Sequence, residues 1–315
     1  MLLFMLVVYN LAFLPALGNN VLDEFMLKCF LESQYVPEAG LLRAAVTAYP
    51  DNETIYVAND NVLAARALEV LGSPLAEEVL ATLNNKYNGG WNGKIDVLFG
   101  RDIQDQFYSS YIETLGYTYS SKFNTTFVIA FEKLNTSSPI INWRDYADLI
   151  VYKALDKLLS GSRLEAEQLF LKLVELWNGY GFYDRQAREK GVYAVYKIAL
   201  AVFLYRALKS SGSNIPNQYR DLYDKWVEII AMAQDPVYGG IHTDYVVEKD
   251  AIKITGDMNV ETTSMVVLAL YSDYPRLIGE HARDLCVRDC SSYLFSLLLI
   301  LLFLGLLASR VLESK

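Results

Sequence analysis

Three acidic side chains stand where they could do acid–base chemistry: Asp60, Asp244 and Glu261. Asp60 lies in Ala58-Asn59-Asp60-Asn61, just before an apolar helical run, and Glu261 lies in Asn259-Val260-Glu261-Thr262-Thr263, just before another. Asp244 ends the turn-like stretch Tyr238-Gly239-Gly240-Ile241-His242-Thr243-Asp244. Two carboxyls facing each other across a cleft can hydrolyse a glycoside: one protonates the leaving oxygen and the other activates water or attacks the sugar. Glu261 and Asp60 are the expected pair, with Asp244 as substitute. Capping of helix N-termini is the competing reading for Asp60, Asp145 and Asn259. Lys197, in an apolar helix, requires a buried partner, for which Asp148 and Glu261 are the candidates.

Aromatic and polar side chains in the neighbouring loops would complete a sugar-binding surface: Trp91, Trp143, Tyr180, Tyr183, Tyr238, His242 and Asn259. Aromatic faces suit the C–H surfaces of sugars, and polar groups share their hydroxyls. No phosphate loop, dinucleotide fingerprint, serine triad or zinc spacing occurs, so neither a cofactor nor a metal is expected. A net charge of -9 argues against nucleic acid as a partner.

The elements that must position these residues are helical. Ala166, Leu169, Phe170, Leu173, Val174 and Trp177 recur at the spacing of a one-faced helix, as do Leu222, Trp226, Ile229, Ile230 and Ala233. Residues 191–208 and 265–271 are apolar nearly all round, which marks helices covered on every side. The pattern predicts outer helices near 21–34, 74–85, 162–177 and 216–233, alternating with inner ones near 59–71, 143–159, 191–208 and 259–271. Outer-to-inner links are long and rich in Gly, Asn and aromatics; inner-to-outer links are short, as in Gly72-Ser73-Pro74. Such asymmetry gathers the long loops at one rim. Residues 109–119 with 125–131, and residues 241–256, read as β-hairpins inserted there.

This alternation, with long aromatic loops on one rim, resembles the α/α toroids, and among them the six-hairpin glycosidase-like superfamily. The resemblance covers roughly residues 21–280 and is architectural; about four hairpins are counted here rather than six. It implies a mainly α fold with one or two β-hairpin insertions and a carbohydrate cleft at the rim.

The two ends bear on placement. Residues 1–18 are apolar and finish in Pro15-Ala16-Leu17-Gly18, the small-residue spacing of a signal peptide cleavage site. Residues 286–309 include an uncharged Leu-rich run and read as a transmembrane anchor, leaving 310–315 as a cytoplasmic tail and 19–285 as an extracellular domain. Asn52, Asn124 and Asn135 open glycosylation sequons. Cys29, Cys286 and Cys290 are disulfide candidates, with Cys29 expected to pair with one of the other two. The sequence therefore points to a domain on a single-pass membrane anchor that binds or hydrolyses glycans, or else to a non-catalytic surface or envelope protein. Its oligomeric state is left open.

Overall fold

Helix α7, Val195–Ser210, shows why the centre of the molecule sits where it does. Its residues present no polar stripe, so only neighbours on every side can cover them. Ile198, Leu200, Val202, Phe203 and Leu204 are all fully buried, each contributing roughly 1.5–3 kcal/mol by leaving water. Helix α9, Val260–Tyr271, is the same kind of element. The computed structural model describes residues 22–285, and these two helices lie side by side at its core. α9 also packs on α2, Val62–Val70, and α7 packs on α4, Ala147–Leu159.

The amphipathic helices lie outside this layer. α1, Glu24–Ser33, leans on α9 and α2. α3, Leu75–Tyr87, covers α2; α5, Arg163–Glu175, covers α4; and α8, Arg220–Met232, covers α7. Trp226 of α8 is fully buried against Phe170, Trp177 and Phe182. A short helix, α6, Arg185–Lys190, precedes α7. A last helix, α10, occupies 274–285. It crosses the C-terminal ends of the inner helices: a Cβ on Gly279 would come within 2.3 Å of the Ala207 carbonyl, and Leu285 lies against Gly161.

The strands do more than decorate a rim, and they correct the mainly α expectation. The described residues are 53% helical and 22% strand, the strands forming three small sheets. β1, Tyr35–Val36, pairs with β2, Leu41–Leu42. The expected hairpin is β4, Tyr108–Ser120, with β5, Thr125–Pro139; it is extended by β3, Thr54–Tyr56, which runs parallel to β5. β7, His242–Glu248, and β8, Ala251–Met258, likewise recruit a short third strand, β6, Tyr193–Ala194, which pairs antiparallel with β7. These long-range pairings have no local signature, which is why the sequence suggested isolated hairpins in an all-helical frame.

The expected transmembrane helix is likewise not supported: among the described residues, no helix is long and apolar enough to cross a membrane. The segments assigned to signal peptide (1–18), anchor (286–309) and tail (310–315) lie outside the described residues, as do Cys286 and Cys290. Cys29 sits half-buried on α1.

Candidate functional site

The four inner helices begin at the same end of the molecule, and their first turns surround one cavity. α9 starts at Asn259, whose Oδ1 accepts the Thr262 amide at 2.8 Å, so Asn259 is the cap that the alternative reading proposed. The second residue of the helix is Glu261, which faces the cavity. α4 contributes Asp148 from its first turn and Tyr152 from its second, and α7 contributes Tyr196 and Lys197. Ahead of α2, Asn59 supplies the fourth wall. The space is about 320 Å³, within the size range of small-molecule sites.

The turn carrying Asn59 is held by Asn61. The Asn61 side chain accepts the Leu42 amide at 2.7 Å and donates to the Leu42 and Tyr56 carbonyls at 2.9 and 2.8 Å. Within this turn Asn59 adopts φ 60°, ψ -84°, the strained geometry at the centre of a rare γ-turn. Its Nδ2 donates to the Glu132 carboxylate, and its Oδ1 accepts from Asn92 at 3.1 Å. Glu132 reaches this position because β3 pairs with β5 in register Tyr56↔Ala130, which brings Glu132, two residues further along β5 on the face of Ala130, alongside the turn. Lys94 closes the cluster, 3.2 Å from Glu132.

Electrostatics follow from the crowding of acids. Burial pushes the Glu261 carboxyl up; Lys94 opposes this, while Glu132 and Asp148 add to it, and the result is a pKa of about 7. Asp60 is buried, and burial together with the neighbouring Glu261, Asp51 and Glu132 charges raises its pKa well above the carboxylate range. For Lys94 burial alone would lower the pKa, but Glu132, Asp148 and Glu261 outweigh it and raise it. The Tyr152 and Tyr196 hydroxyls lie 2.6 Å apart, and burial foremost keeps both far above their ordinary values. One Asp148 oxygen, Oδ1, is buried without a hydrogen-bond partner among the described residues.

The expected site residues divide sharply. Glu261, Asp244 and Asn259 line the cavity. Asp60 does not; it lies buried beside it, within electrostatic reach of Glu261 and without capping a helix. The expected aromatics lie elsewhere. Trp91 stacks under Arg101 and against Phe99, and Trp143 packs on Phe107 and Arg144. Tyr180 donates to Asp250 at 3.0 Å, and Tyr183 and Tyr238 are exposed. His242 lies 3.5 Å from Asp235 and 3.1 Å from the Gly256 carbonyl, an arrangement that holds two loops together. Lys197 takes neither expected partner: its ammonium meets Asp184, which is fully buried. Asn124 and Asn135 are exposed, whereas Asn52 has its Oδ1 buried.

Lys94, Glu132, Tyr152, Tyr196 and Gln186 were missed as site residues. Asp148 was noted only as a candidate partner for Lys197. No protein-family model matches the chain, and no curated protein or solved structure matches it.

Proposed function

We propose that the cavity is an acid–base hydrolytic centre acting on a glycosidic substrate, with Glu261 as acid and Asp148 as base. The observation that carries this reading is the convergence of two carboxyls from separate helices, Glu261 and Asp148, on one cavity that also presents Asp244, two lysines, and the amides and hydroxyls of Asn59, Gln186, Tyr152 and Tyr196. A group titrating near neutrality can hold a proton and still release it, as a general acid must. In the reaction, Glu261 gives its proton to the leaving glycosidic oxygen as the bond from the anomeric carbon to that oxygen breaks. A water supplies the hydroxyl to the anomeric carbon and loses its proton to Asp148. Lys94 and the Tyr152–Tyr196 pair border the space and can donate to substrate hydroxyls.

Asp148 replaces Asp60 in the pair because Asp148 opens onto the cavity and Asp60 does not. Asp60 instead serves as a buried neighbour whose protonation depends on that of Glu261.

The test is a screen of the purified full chain against an array of glycans, followed by turnover assays on whatever binds. Glu261→Gln and Asp148→Asn should each lower kcat by roughly 10²–10⁴-fold while binding persists. Binding without turnover by the parent chain would reduce the site to a lectin. Retention of full activity in either variant would remove that residue from the chemistry.

A further inference from the structure

The acid cavity is not isolated. It shares Lys94, Asp148 and Gln186 with a second space of about 270 Å³ that runs between the start of β4 and the start of α4. It shares Lys197, Asp244 and Gln186 with a third space of about 80 Å³ beside α6. The three meet at Gln186. Its Oε1 accepts the Lys197 ammonium at 2.8 Å, which fixes the amide and leaves its NH₂ group to turn toward the open space.

The two arms differ in a way that decides what can occupy them. The larger arm has the composition of a sugar-binding surface: Phe107, Tyr108 and Tyr146 supply aromatic surface, and Gln104, Gln106 and Ser109 supply polar groups. Aromatic faces with adjacent amides and hydroxyls suit a sugar ring. The smaller arm has the volume of two or three waters at ~30 Å³ each, too little for another ring. The Lys197–Asp184 pair forms part of its wall.

Resting on the glycosidase reading above, we infer that the substrate is an oligosaccharide bound by its end. Its terminal unit occupies the acid cavity, and its second unit lies on the arm formed by Phe107, Tyr108 and Tyr146. Cleavage then falls between the two and releases one unit at a time.

Binding of linear gluco-, N-acetylgluco-, manno- and galacto-tetraoses, each with its monosaccharide, is measured by calorimetry on full-length Glu261→Gln. Tyr108→Ala is then added to the same background, and products are followed with the parent chain. At least one tetraose should bind about tenfold more tightly than its monosaccharide, and Tyr108→Ala should erase that advantage while leaving monosaccharide binding unchanged. The first products should be the monosaccharide and the trisaccharide in equal amounts, with no disaccharide. Equal binding of tetraose and monosaccharide, or disaccharide among the first products, overturns the end-bound chain while the glycosidase reading stands. Failure of every saccharide to bind overturns both. Tyr108 is half-exposed on an edge strand, so loss of folding is not the expected result of its truncation. Tyr108→Phe, which keeps the ring, should restore the advantage.

Discussion

Lys197 Nζ lies 2.5 Å from Asp184 Oδ2, and the same oxygen accepts the Ala147 amide at 3.1 Å. Asp184 Oδ1 meanwhile accepts the Ala187 amide, capping α6. One buried carboxylate thus fixes the starts of α4, α6 and α7 together, the elements that carry Asp148, Gln186 and Tyr196 to the cavity. Removing one partner leaves the other as an uncompensated buried charge. Lys197→Met should cost roughly 3–5 kcal/mol, which at about 2–4 °C per kcal/mol lowers Tm by roughly 6–20 °C. Lys197→Met with Asp184→Asn should recover part of that loss. A double variant as unstable as the sum of its singles would show that the two groups do not act as a pair.

Glu261 sets a pH dependence of definite sign. Its folded pKa of about 7 lies above the ordinary 4.5, so the folded chain keeps a proton that the unfolded chain has released. Its contribution to stability is full below about 4.5, falls as pH rises through 7, and levels off above that. Asp60, raised in the same direction, adds to the decline. Glu261→Gln does not titrate and should flatten the stability profile between about pH 4.5 and 7. Urea unfolding across that range measures it, and a slope identical to the parent's would contradict the assignment.

Asp257 should act in the opposite direction. Its carboxylate accepts the amides of Val46, Thr47 and Ala48 at 3.0, 2.6 and 2.8 Å, and the Thr47 hydroxyl at 2.9 Å. Burial alone would raise its pKa, but the Ala48 and Thr47 donors outweigh it and hold the pKa below the usual range. Stability from this group is present above the unfolded pKa and is lost as pH falls through the folded one. Asp257→Asn should therefore destabilise at neutral pH and narrow its gap to the parent in acid, as followed by hydrogen exchange of the 46–48 amides. Unchanged exchange there at neutral pH would dismiss the clamp.

Asn59 separates backbone strain from side-chain bonding. Asn59→Ala loses the contacts to Glu132 and Asn92 and leaves a residue poorly suited to φ 60°. Asn59→Gly loses the same contacts but relieves the strain. The Ala variant should be less stable than the Gly variant by about 1 kcal/mol or more in chemical denaturation. Equal stability would mean that the turn relaxes.

The helices were readable because burial imposes a period on sequence. The all-apolar run over 191–208 became α7, and the stripe through Leu222, Trp226, Ile229 and Ile230 became α8. Glu261 and Asn259 were readable because they sit at the start of α9, and Asp244 because it follows a glycine-rich turn, although it lies within β7. Glu132 was not, since it looks like any charge in a hairpin until β3 pairs with β5 and delivers it to Asn59. Trp91 was misplaced because an aromatic in a Gly-Asn loop has the same sequence whether it faces a ligand or lies under Arg101. Asp184 was missed as the partner of Lys197 because α6 is too short to show a period. The helical frame and the acids that line the cavity were local facts. Glu132, Lys94 and the aromatic arm depend on which distant segments meet.

The bridge between Ala45 and Asn259, the bond from the Val260 amide to the Ala44 carbonyl, and the Asp257 clamp sew an early stretch of chain to a late one. No short fragment therefore contains the cavity: Asn59 and Lys94 come early, Asp148 and Tyr152 midway, and Glu261 near the end of the described residues. A chain emerging from the ribosome can form its first helices long before it owns the acid, and the buried Asp60 waits for α9 to cover it. The seam must close over a long loop, an entropic cost met only once α9 packs between α2 and α7. The chemistry proposed here would switch on as a final act of folding, and a nascent or clipped chain lacking α9 would be inert.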